Sequence, residues 1–386
     1  MTATVISAWS VLSPYGTGPG PFADGITAGR PVAPGLDRDT WHAPPTGACL
    51  VPGFDTAAAL GTRGTRTMDR LTGLTVATLG TLLAPGAGPG TPDGGGAGPG
   101  LLTDHDRTAL VLGTGSGSVQ STMDFTRDAL TGAKPFHVDP ARFPNTVMNR
   151  AAGASAIWYG LKGPNATLAG GPLTALQALR YATRLRERGH CRTVLCAAVE
   201  EYSEERAWLA WHTRDDRHRA TPLAEACAVF LLEDAEDAAH AGRAPLADVL
   251  AVRFGAAPGP GGLAATLGRL LREALREAGA DPGEVRWAAP SRRTTAPPGT
   301  CPMGFGAAPR PVEEAEREAL RDVLPPGGAR PIDVQDLLGD AGAASAGLQI
   351  AAVLAEAARR PQPGGIGVVT AVDEDGLAAC LVLRLR

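Results

Sequence analysis

Residues Gly163 to Glu187, GPNATLAGGPLTALQALRYATRLRE, limit the folding choices of this chain more than any other stretch. They read as a buried strand, a tight turn and an amphipathic helix. Pro172 stands where the helix begins, a place where its preset φ fits and its missing N–H would be unpaired anyway. Leu173, Leu176, Leu179, Ala182 and Leu185 then recur at helical spacing and mark a buried face. A strand-to-helix turn of this kind commonly holds a nucleophile, whose pKa the helix N-terminus lowers. Here proline occupies that place.

The segment GPNATLAGGPLTAL resembles the active-site turn of β-ketoacyl synthases, the condensing enzymes of fatty acid and polyketide synthesis. Their turn has the form G-P-x-x-T-x-x-x-A-C-S-S-x-L. Laid on it without gaps, Gly163, Pro164, Thr167 and Leu176 match, and Pro172 falls on the catalytic cysteine. The resemblance therefore implies that the thiol is absent, together with the backbone N–H that helps bind the developing oxyanion in the family.

Two histidines complete the family's site, where they bind the thioester carbonyl of malonyl-carrier protein and assist decarboxylation. The first lies in V-x-x-x-x-A-H-G-T; residues Val285 to Arg293 read VRWAAPSRR and put Ser291 there. The second lies in G-H-x-x-G-A-A-G; residues Gln335 to Gly342 read QDLLGDAG and put Asp336 there, where its charge would repel a malonate carboxylate. The family's lysine before that histidine aligns with Pro331, and its C-terminal G-F-G-G loop is replaced by Asp373-Glu374-Asp375-Gly376-Leu377. A Ser291–Asp336 pair would need a base such as His or Lys to act as a nucleophilic site, and no histidine lies near either in the sequence.

The resemblance continues along the chain. An apolar strand over residues 3–12 ends in Ser13-Pro14-Tyr15-Gly16, similar to the family's opening strand and S-P-x-G turn. Met68-Asp69-Arg70 opens a helix to about Leu83, similar to the family's M-D-R helix. Residues 84–100 are glycine- and proline-rich and carry too little apolar content to pack. Thr108 to Gly113 is a strand, followed by Thr114-Gly115-Ser116-Gly117-Ser118. A phosphate-cradling loop needs a following Gly-Lys-Ser/Thr that is missing, so these glycines read as a turn passing close to a neighbour.

The next helix carries Ser118, Ser121, Thr122 and Phe125 roughly on one face. In chain-length factors, the inactive relatives of ketosynthases, this helix lines the acyl tunnel. Phe125 falls on a gate position, and the smaller Ser118 and Ser121 on others; without the family, Phe125 is a core residue. Residues 149–164, NRAAGASAIWYGLKGP, resemble N-x-x-A-G-x-x-x-I-x-x-G-x-x-G-P, which packs at the family's subunit interface. Phe143 and Met148, just before it, are expected near that interface, or else in the core. Arg192 to Glu200 is a buried strand similar to V-x-x-A-G-x-x-E; Glu200 reads as a local cap or pair rather than a catalytic acid.

His212, Asp215, Asp216 and His218 crowd a polar loop without helical His spacing, so no metal site is expected there. After about Ala235 the pattern restarts: a helix from Glu236 to Ala241, a strand from Pro245 to Val252, a linker from Ala256 to Gly262 and an amphipathic helix from Leu263 to Ala278. Alternating strands and helices argue α/β architecture. The resemblance implies a thiolase-like fold, two similar halves (1–235 and 236–386) in five α/β/α/β/α layers.

A net charge of −4 with no basic cluster argues against a nucleic-acid partner. No apolar run approaches the roughly 18 residues of a membrane helix. The six cysteines form no C-x-x-C pair and read as buried thiols of a reducing cytoplasm.

Scaffold positions kept, with Pro172, Ser291 and Asp336 at the catalytic positions, imply a non-catalytic chain-length factor, the β subunit of a type II polyketide ketosynthase. Its expected partners are a catalytic α subunit and an acyl carrier protein bearing a phosphopantetheine-tethered chain; no cofactor is expected. Many aromatic-polyketide chain-length factors place glutamine where Pro172 stands, so the proline leans towards a divergent branch such as the reducing, polyene-forming systems. Two other readings stay open: a homodimeric scaffold docking acyl carrier protein without a tunnel, and a divergent acyltransferase acting through Ser291.

Overall fold

The N-terminal apolar run forms β1 (Thr4–Ser13), and its end folds back on the two-residue strand β2 (Gly16–Thr17). The computed structural model describes residues 4–44, 47–84, 101–213, 221–259, 261–291 and 311–386. The first half adds β3 (Thr108–Thr114), β4 (Asn165–Leu168), β5 (Thr193–Glu200) and β6 (Ala226–Asp234). The second half supplies β7 (Ala247–Ala256), β8 (Val285–Ala289), β9 (Arg330–Pro331), β10 (Ile366–Val372) and β11 (Leu377–Leu385). These strands hydrogen-bond in the order β4-β3-β5-β6-β1-β7-β11-β10-β8-β9.

With β2 set aside, each half carries its strands in the same order from its outer edge inward: third, second, fourth, fifth, first. The two outer pairings are parallel in both halves, and the two inner ones antiparallel. The halves join where their first strands pair, Val5 with Asp248 and Ile6 with Ala247. One topology is thus used twice along the sheet.

Between β1 and β3 the chain forms α1 (Pro19–Thr27), α2 (Thr56–Leu60) and α3 (Arg70–Leu83). The Asp69 side chain accepts from the Thr72 N–H and starts α3. With α5 (Arg150–Tyr159), α3 covers the outer face of the first half. Helices α6 (Thr174–Glu187) and α12 (Ser345–Arg359) fill the middle, packed on strands of both halves. Helices α9 (Leu263–Glu277) and α10 (Pro311–Val323) cover the outer face of the second half. Three apolar cores separate these layers, which gives the five-layer thiolase-like arrangement. The remaining helices are α4 (Val119–Thr131), α7 (Glu204–Thr213), α8 (Ala235–His240) and α11 (Val334–Leu338).

Two expectations need correction. The strand of the Gly163–Glu187 stretch is not buried: β4 is the edge strand, with Asn165 exposed and the next three residues half-buried, because nothing among the described residues pairs with its outer side. The strand expected to stop at Val252 runs on to Ala256, paired there with Leu377 of β11. Five of the cysteines are free and buried, and Cys301 lies outside the described residues. So do Asp215, Asp216 and His218 of the polar loop, while His212 sits at the end of α7. Among the described residues no helix is long and apolar enough to cross a membrane.

Candidate functional site

The turn between β4 and α6 is a single 3-10 turn, Gly171–Leu173, with Pro172 half-buried inside it. The Thr174 hydroxyl ties it down, accepting from the Gly170 N–H at 2.9 Å and donating to the Gly171 carbonyl at 2.7 Å. Leu173, Leu176, Leu179 and Ala182 bury the expected face, with Leu185 partly buried against the same core. Proline here offers neither a nucleophilic atom nor an N–H.

The described cysteines supply no substitute thiolate. Burial pushes Cys191 up to about 11 and Cys49, Cys196, Cys227 and Cys380 up to about 12.

Ser291 follows β8 and is buried. Its hydroxyl lies 3.0 and 3.1 Å from the two carboxylate oxygens of Glu316, a wholly buried residue of α10. Glu316 also accepts from the Ser291 N–H at 3.0 Å and the Thr370 hydroxyl at 2.6 Å, and the Val372 N–H donates to Ser291 Oγ at 3.2 Å. The serine is thus one member of a satisfied polar knot between β8, β10 and α10. The Pro172 turn packs against β10, the strand that ends at Val372. Asp336 lies half-buried on α11, which packs on α12.

The loop after β3 is a close-packed turn. A Cβ on Gly115 would stand 2.6 Å from a Glu200 carboxylate oxygen. Gly117 has φ +70° and would bring a Cβ to 3.1 Å from the Met148 Cα. Glu200 accepts from the Ala343 N–H at 3.1 Å, so it binds backbone of the second half. Burial raises its pKa despite Arg206 nearby.

Two further acids sit beside it, and with Val194 and Ala197 on the V and A of V-x-x-A-G-x-x-E it is Glu201, not Glu200, that takes the place of the motif's acid. Glu201 accepts from the Leu71 N–H at 2.9 Å and the Ser118 hydroxyl at 2.8 Å. Burial, with Asp69 next in effect, pushes it up to about 8. Glu225 takes the Arg70 guanidinium on both oxygens, at 2.5 and 2.7 Å, and accepts from the N–H groups of Val51 and Tyr202. Arg206 completes this polar floor, donating to the Glu201, Ala224 and Asp340 carbonyls.

Of the residues expected to share one helix face, Ser118 is the N-cap of α4, not part of its body; it is buried and turned to Glu201. Ser121 is half-buried and its N–H donates to Ser118 Oγ. Thr122 is exposed and donates to the Ser118 carbonyl. Phe125 is half-buried, its ring 5.8 Å from that of Phe143. Neither Phe143 nor Met148 belongs to the core: they are 56% and 43% exposed. Leu130 on α4, Phe136 after it and Ile157 on α5 are 80%, 71% and 83% exposed, and α5 packs beside the edge strand β4.

Comparison with known proteins places this geometry. The family description "Beta-ketoacyl synthase, N-terminal domain" matches residues 93–238. A 3-oxoacyl-[acyl-carrier-protein] synthase 2 of Synechocystis is 25% identical over 206 residues, 47% of this chain and 49% of that protein. The matched stretch therefore spans about half the length of that curated relative, and 23% of a Vibrio harveyi synthase of the same name. Among solved structures, the ishigamide ketosynthase/chain length factor is 40% identical, covers 99% of both chains and has a TM-score of 0.86. A type II polyketide synthase ketosynthase in complex with its acyl-carrier protein has a TM-score of 0.74 at 14% identity, covering 100% of this chain and 99% of that one, a likeness of fold.

Proposed function

This chain belongs to the β-ketoacyl synthase family and is a chain-length-factor-type homologue; on that premise we propose that it is a non-catalytic subunit that shapes the acyl tunnel of a catalytic ketosynthase. The observation that carries the reading is the chemistry at the three inherited catalytic positions. Pro172 has no thiol and no N–H, Ser291 is buried in a knot with Glu316, and Asp336 is an acid where decarboxylation calls for a neutral or cationic group. Such a site cannot hold an acyl group or stabilise its oxyanion. The same knot removes support from an acyltransferase acting through Ser291, since its hydroxyl is buried and occupied.

These exposed apolar side chains support a ketosynthase partner seated on them, with Phe143 and Met148 in the interface. Acyl carrier protein then delivers the growing chain to the partner, and this chain, through α4, limits how far it extends. Proline at position 172 supports a branch apart from many aromatic-polyketide systems, such as a reducing, polyene-forming one.

Phe125 sets the stop in this account. Phe125→Ala is expected to lengthen the main product of the reconstituted pair by at least one extender unit, and Phe125→Trp to shorten it. Product analysis by mass spectrometry decides; an unchanged distribution for both variants would remove α4 from the tunnel.

A further inference from the structure

We propose that Glu201 is the positioning residue of α4, the joint that fixes where this helix starts and so where Phe125 stands along the acyl chain. The proposal rests on the reading of α4 as a tunnel wall.

The observation behind it is a contrast between two helices that share one carboxylate. Helix α3 buries an unbroken run from Leu71 to Leu79 and belongs to the apolar core of the first half. Helix α4 buries none of its residues. Among the described residues, α4 is held by links at its surface and by one link inside. The surface links are the Arg127–Glu205 pair to α7, the Arg142–Asp128 pair at 3.4 Å and the Phe125–Phe143 ring contact. Exposed ion pairs of this sort hold little. The inner link runs from the Leu71 N–H through Glu201 to the Ser118 hydroxyl, whose oxygen in turn accepts from the Ser121 N–H at 3.2 Å. Glu201 and Ser118 are both buried, where a hydrogen bond is strong and a missing partner is costly.

Glu201 therefore binds the start of a fixed helix to the start of one with no core of its own. Phe125 lies seven residues beyond Ser118, about 10 Å along the helix. A tilt of about 10° at the cap would move it by roughly 2 Å, enough to change where a growing chain meets its ring.

The test uses the complex with the ketosynthase. Glu201→Ala and Ser118→Ala cut the same link from its two sides, and Ser118→Ala leaves Leu71 paired. Both are expected to speed amide hydrogen exchange across residues 119–131 at least tenfold, leave residues 73–83 unchanged and broaden the product distribution. Glu201→Gln should restore both properties, because its amide oxygen accepts from Leu71 and its NH2 reaches Ser118 Oγ. Unchanged exchange in α4 for Ser118→Ala overturns the joint. So does faster exchange with unaltered products, if Phe125→Ala alters them. If Phe125→Ala leaves products unaltered too, it is the tunnel reading that fails, and exchange alone decides on Glu201.

Discussion

Ile157→Arg is expected to abolish pairing with the ketosynthase, weakening the dissociation constant by at least about 100-fold, or roughly 2.7 kcal/mol. Ile157 is 83% exposed on α5, while Ala151, Ala152, Ala154 and Ser155 bury the opposite face of that helix. An aliphatic side chain this exposed gains about 1.5–3 kcal/mol when a partner covers it. Arginine forfeits that gain and adds the cost of burying a charge with no partner arranged for it. The free chain should keep its stability to within about 0.5 kcal/mol, since the change touches no core contact. Titration of the labelled subunit against the ketosynthase reads the effect, with the melting temperature of the free chain as control. An unchanged affinity would move the interface off the α5–β4 side.

Glu225→Ala should cost the free chain about 3–5 kcal/mol, the usual penalty for removing one partner of a buried ion pair. Glu225 is wholly buried at the start of β6, and Arg70, beside the cap of α3, gives it two hydrogen bonds. The N–H groups of Val51 and Tyr202 lose their acceptor as well. Chemical denaturation measures the loss. Adding Arg70→Met should recover part of it, because the stranded guanidinium is then gone. A single variant within about 1 kcal/mol of the parent would show that this carboxylate is not a keystone of the first half.

Much of the architecture was legible in the sequence because it depends on local periodicity. The α6 stripe from Leu173 to Ala182 and the apolar β1 each carry their structure in neighbouring residues. The contacts of the acids were not legible for the opposite reason. What could not be read is where Glu201, Glu225 and Glu316 point, since their partners Leu71, Arg70 and Ser291 lie 130, 155 and 25 residues away. No spacing rule links a strand-end acid to the cap of a distant helix. Ser118 was placed on a helix face by counting, yet a serine ahead of a polar helix is also a common N-cap, and that role won. For β4, apolar content describes what a strand can bury, and only the sheet order shows that it stands at the edge.

The most direct test of the central claim is intact mass spectrometry of both subunits after the co-purified pair is loaded with acyl-acyl carrier protein. The account predicts a one-to-one complex in which the ketosynthase gains the acyl mass and this chain stays at its own mass, Pro172, Ser291 and Asp336 offering nothing to acylate. An acyl adduct on this chain would contradict it.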